Sequence, residues 1–178
     1  MAHFAEINSD TNKVTRVLVI SDSDVENNGG EYTAESEQWV KDNFPNPDGL
    51  NVFWKQTSYW TMKGKHYAYM RTWHQPIGTD LENTVGIGRI LTPDQSKAKR
   101  KNYAAVDFTY DSSRDAFIPP RDGLPDHYIL DEDSCTWVPP VPYPDDTKSY
   151  EWVPATQTWR EVEGDHEHFN KPAYFSDF

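Results

Sequence analysis

The segment "DHEH" at residues 165–168 gathers two imidazoles and two carboxylates within four positions. In an extended strand His166 and His168 would share one face, and both residue types serve as metal donors. No cysteine and no further histidine stands at zinc spacing around them, so a solvated turn accounts for the segment better. "GIG" at residues 86–88 resembles part of a phosphate loop. It lacks the following glycine of a dinucleotide fingerprint and the Lys-Ser/Thr of a P-loop, and reads as a turn. Cys135 is the sole cysteine. It stands in a polar stretch without a basic neighbour in sequence that would favour its thiolate, which argues against a nucleophile. Carboxylate pairs such as Asp131 with Asp133 and Asp145 with Asp146 lie in hydrophilic turns. An acid–base pair needs burial and contrasting environments, and such turns offer neither. The sequence therefore assigns no catalytic residue, no metal site and no cofactor. What remains is aromatic: the rings of "WKQTSYW" (residues 54–60) and of the carboxy-terminal half can stack on sugars or anchor a protein contact.

Charge narrows the partners. The net charge is −12, and residues 121–178 carry 13 Asp and Glu against 4 Lys and Arg. A nucleic-acid binder must neutralise phosphates, so this bias points away from nucleic acid and from anionic membrane. The one basic cluster, "KAKRK" at 97–101, reads as a solvated strand or loop edge, with an acidic partner as the alternative. No run reaches the length of a membrane span, and "MAHFAEINSD" shows no basic-then-apolar leader. The expectation is a chain made in, and remaining in, a cytosol-like compartment. A single cysteine permits no internal disulfide. Apolar residues make up only 36%, yet there are 7 Trp, 10 Tyr and 8 Phe. The core must be modest and ring-rich.

The elements that would position these rings are mainly strands. Residues 4–20 read as a β-hairpin about a polar turn at 8–12, and the apolar run "VLVI" (residues 17–20) suits a central strand. "SDSDVENNGGEY" reads as a polar loop. "TAESEQWVKDNF" is the one helix expected: Thr33 caps it, Glu35 and Glu37 occupy its first turn, and Trp39, Val40 and Phe44 form a stripe. "PNPDG" (residues 45–49) stops it. A second hairpin turns at "MKGK". Residues 75–101 read as one long loop.

Three copies of one short module follow, at 108–120 ("FTYDSSRDAFIPP"), 128–140 ("YILDEDSCTWVPP") and 150–162 ("YEWVPATQTWREV"), offset by 20 and 22 residues. Phe108, Tyr128 and Tyr150 open them. Tyr110, Leu130 and Trp152 stand two residues on, and Phe117, Trp137 and Trp159 return after a polar turn. An apolar pair, a tight turn and a returning ring specify a β-hairpin with one aromatic face. The candidate interface residues are Phe108, Tyr110, Phe117, Tyr128, Trp137, Tyr150, Trp152 and Trp159. A lone hairpin is marginal in water, so the modules must pack on one another, on the amino-terminal part or on another protein. Nine of the 13 prolines follow residue 118, mostly in the connectors "IPPRDGLP" and "VPPVPYPDD". Proline fixes φ and removes a ladder donor, which keeps such connectors extended. The expected fold is α+β and mainly β. An amino-terminal antiparallel sheet domain with one short helix (1–101) precedes serial hairpins on Pro-rich connectors (102–164) and a tail (165–178).

"WKQTSYW", "NYAAVDFTYDSSRDAFIPPRD" (102–122) and "WVPPVPYPDDTKSYEW" (137–152) resemble segments of small proteins in tailed phages of marine bacteria, cyanophages especially. The likeness runs from "MAHFAEI" to "TWREV". Members of that group have a shorter path between "WKQTSY" and "NYA", which makes residues 75–101 an addition here. The resemblance implies a virion structural protein without catalytic residues. A capsid decoration (cement) protein that binds the major capsid protein or other virion proteins, with homo-oligomerisation on the particle, is the first expectation. A tail or neck component, adaptor- or fibre-associated, is the second, and a carbohydrate-binding host-attachment module the third.

Overall fold

The computed structural model describes residues 1–69, 89–144 and 148–162. Strands β1 (Ala2–Asn8) and β2 (Val14–Ile20) form the expected hairpin. Two helices follow, α1 (Asp22–Asn27) and α2 (Ala34–Asn43), and then β3 (Val52–Thr57), which returns antiparallel to β1. The sheet order is β2-β1-β3. This corrects the central placement of "VLVI": β1 is the middle strand and β2 an edge, with Val19 54% exposed. The physical reason lies in the alternation of "AHFAEIN". Phe4 faces one core and Ala5 and Ile7 face another, so β1 needs cover on both sides. The protein is mainly β, built of small antiparallel sheets, as the sequence specifies.

The polar loop after β2 holds the unexpected helix. Ser21 accepts the Asp24 amide, Asp22 and Asp24 favour the positive first turn, and only Val25 is buried. One apolar residue in six leaves no stripe to read, which is why the pattern hid it. In α2 the Thr33 hydroxyl accepts the Ser36 amide at 3.1 Å as expected. Val25, Val40, Trp39 and Phe44 pack with Phe4, Ile20 and Trp54 to make the first core.

Strands β4 (Thr61–Met62) and β5 (Lys65–Tyr69) pair across Lys63 and Gly64, both with positive φ, as a two-residue hairpin requires. The third strand of that sheet, β6 (Arg89–Leu91), pairs with β5. Part of the stretch expected to be one loop over 75–101 is therefore strand, where Ile90 and Leu91 supply apolar residues. The "GIG" segment, the "DHEH" segment and the tail lie outside the described residues, as do residues 75–88 of that loop.

The modules form three separate two-stranded sheets. They are β7 (Thr109–Asp111) with β8 (Ala116–Ile118), β9 (Ile129–Asp131) with β10 (Thr136–Val138), and β11 (Ser149–Val153) with β12 (Thr158–Val162). The first is no free arm. Tyr110, Phe117 and Ala104 close the second core against Ala5, Ile7 and Val14, with Phe53 and Phe108 at its margin. Hairpin one thus covers the sheet face opposite the helices.

Candidate interaction surface

The three turns share one backbone device. Asp115, Cys135 and Gln157 occupy equivalent positions, and all three have positive φ. Asp111 and Asp131 each accept turn amides through Oδ1, from Ser113 and Arg114 in the first and from Ser134 in the second. This side-chain capping is what the Asp-rich turns supply. Hydrogen bonds from Ser113, and then Arg114, hold the Asp111 carboxyl down at about 2. The ring pairs inferred from spacing are register partners: Tyr110 opposite Phe117, Leu130 opposite Trp137, and Trp152 opposite Trp159.

Each hairpin is tied to what precedes it. Hairpin one is anchored on the β1–β2 turn, where the Tyr110 amide donates to the Asn12 carbonyl and the Val14 amide to the Phe108 carbonyl. Burial, then the hydrogen bond donated to Asp115, pushes the Tyr110 hydroxyl up to about 12. In hairpin two the Trp137 indole donates to the Pro119 carbonyl at 2.9 Å, and Arg121 lies over the same ring. Arg114 of hairpin one holds Glu132 of hairpin two at 2.7 Å. In hairpin three the Trp159 indole donates to the Val141 carbonyl at 2.8 Å. Both indole ties reach back 18 residues. His127, from the connector before hairpin two, stacks on Trp152 with ring centroids 4.4 Å apart and planes 9° from parallel. Tyr143 and Trp159 meet edge-on beside this stack.

Burial grades along the series. Phe117 is fully buried, and Tyr110 and Tyr128 are nearly so. Phe108, Trp137, Tyr150, Trp152 and Trp159 are half-buried. Of the eight candidate residues, Phe108, Tyr110 and Phe117 therefore serve the internal core. Trp137, Tyr150, Trp152 and Trp159 belong to neither internal core and are only partly buried. No protein-family model, curated protein or solved structure matches this chain.

Two polar residues to which the sequence reading gave no such role, Arg100 and Asn102, hold the module series to the amino-terminal part. Arg100, expected on a solvated edge, is buried. It bonds Glu37 at 2.7 Å, Asp115 at 3.2 Å and the Gln56 carbonyl. Glu37 meanwhile accepts from Lys55 and from the Gln56 amide. The correction has a physical cause: in a chain this acidic, a buried carboxylate on α2 draws a cation inward. Asn102 takes the Lys63 amide on Oδ1, and its Nδ2 reaches the Phe117, Ser134 and Cys135 carbonyls. One amide side chain thus joins the β4–β5 turn and two hairpins. A short polar residue outside any periodic pattern gave no warning of this.

Among the described residues no group of three or more His, Cys, Asp or Glu is placed to hold a metal ion. The Cys135 thiol is buried within its turn and pushed up by that burial. Among those same residues no helix is long and apolar enough to cross a membrane.

Proposed function

We propose that this chain is a structural protein of a phage particle, a capsid decoration protein that binds the major capsid protein through the half-exposed rings of hairpins two and three. The observation that carries the reading is the repeated indole tie. It sets successive hairpins in fixed relation, so their tryptophans are presented without an ordering cost at the moment of binding. Tryptophan and tyrosine dominate the energetics of protein interfaces, and many copies on one lattice let modest single-site affinity suffice. The virion assignment itself rests on the resemblance of residues 54–60, 102–122 and 137–152 to marine phage proteins. In this reading the acidic face of the protein points to solvent, away from packaged DNA and opposite the rings that meet the capsid, and the protein acts without chemistry of its own.

Rebinding of purified protein to particles stripped of it tests the reading. Trp152→Ala lies in the last hairpin, away from both internal cores. The account expects saturable binding of the parent protein and at least a tenfold weakening for Trp152→Ala, since truncating an interface hot spot costs about 2 kcal/mol or more. Binding unchanged in Trp137→Ala and Trp152→Ala alike would refute the proposed surface. Copy counting by quantitative mass spectrometry separates decoration, with copies on the scale of the capsid lattice, from a neck or tail ring with few.

A further inference from the structure

An apolar cleft of about 410 Å³ opens where the amino-terminal part meets hairpins one and two. Tyr59, Met62, Tyr103, Ala105, Phe108 and Pro119 supply its apolar walls. Tyr59 and Tyr103 meet edge-on at 5.7 Å, which fixes the wall they share. The volume falls in the range of sites that engulf a small group, about 300–1,000 Å³. Two cations, Lys63 and Arg89, line the same cleft, and no carboxylate does among the described residues. The sequence holds 29 Asp and Glu against 17 Lys and Arg, so a cleft lined in this way runs against the whole molecule. Arg89 lies over the Tyr59 ring at 4.7 Å, and neither Arg89 nor Lys63 forms an ion pair among the described residues.

We infer that this cleft docks a partner protein's segment in which one aromatic side chain is flanked by carboxylates. The apolar walls take the ring, and Arg89 and Lys63 take the flanking charges. The occupant follows from complementarity of both kinds: a neutral apolar ligand leaves the two cations unused, and an acidic polar one leaves the walls wet. The inference concerns the isolated chain and stands apart from the particle reading above. Its failure leaves that reading untouched.

The probe is a capped pentapeptide with a central phenylalanine between glutamates, titrated into the whole protein and followed by amide chemical shifts. A second peptide carries lysines in place of the glutamates. The expected result is shifts gathered at Tyr59, Lys63, Tyr103 and Ala105, with the acidic peptide binding about tenfold more tightly. In the double variant Arg89→Gln, Lys63→Gln that preference should fall to about twofold or less. Ala105→Phe should fill the cleft and remove binding of both peptides, and Ala105→Leu provides a smaller filler should the phenylalanine disturb folding. Equal binding of the two peptides overturns the inference, as does absence of binding. So does N-acetylphenylalanine binding as tightly as the acidic pentapeptide, which would assign the cleft to a free small anion.

Discussion

Arg100 and Glu37 form a buried ion pair at 2.7 Å. Both side chains are more than nine-tenths buried, and each has further partners that make the pair worth its desolvation. Removing Arg100 leaves buried Glu37 with Lys55 as its remaining cation and takes the guanidinium donor from the Gln56 carbonyl. Arg100→Met should therefore destabilise by about 3–5 kcal/mol in urea unfolding, and adding Glu37→Gln to it should recover much of the loss. A loss below about 1 kcal/mol would show that the network contributes little. Titration offers a second test at this scale. The folded Asp111 sits at about 2 against an ordinary 3.8, so its contribution is complete above pH 3.8 and disappears as pH falls toward 2. Asp111→Asn should flatten the pH dependence of unfolding in that window. Tyr110 has the opposite sign: its folded value is raised from 10.0 to about 12, so its contribution is present below pH 10 and is lost as pH climbs through 12. Tyr110→Phe should flatten the alkaline limb. Its phenolate absorbance in the parent protein should rise only above the ordinary tyrosine range.

At the level of elements, the hairpins were legible in the sequence and their attachment was not. The i, i+2 ring pair and the returning ring specify pairing, and Tyr110–Phe117, Leu130–Trp137 and Trp152–Trp159 form as read. Spacing says nothing about which face another element covers, so packing on the amino-terminal part stood as one of three alternatives, and the docking of hairpin one on β1 through Tyr110 and Phe117 is what selects it. Edge and centre were exchanged for a related reason. The continuous run in β2 mimics a strand buried on two sides, whereas β1 earns that place with small Ala5 and a charged but paired Glu6. Burial pushes the Glu6 carboxyl up, but hydrogen bonds from Arg16, Thr15 and Asn46 outweigh it and hold the group low. The candidate surface divides in the same way: which positions bear rings could be read, whereas the indole ties could not. Each tie is a neutral hydrogen bond, so Trp137→Phe and Trp159→Phe, which keep an aromatic side chain but remove the indole N–H, should each cost about 1 kcal/mol or more. Hydrogen exchange in the tied hairpin should quicken in each variant and leave the β1–β3 sheet unchanged.

The whole molecule joins two tightly packed cores about a three-stranded sheet to a series of small hairpins with graded exposure. Rings are spent on the core at Phe117 and left half-open at Trp152 and Trp159. Proline in the connectors keeps the edges of these short strands from pairing at random, and the net charge of −12 sets copies of the chain repelling one another. These properties suit a component added to a finished surface. The central proposal, placement on the head of a phage particle, is tested most directly by immunogold electron microscopy of purified particles of the proposed phage source. An antibody raised against the folded protein serves as the label. The account predicts gold spread over the heads. Gold confined to one vertex or the tail, or absent from intact and opened particles alike, would contradict it.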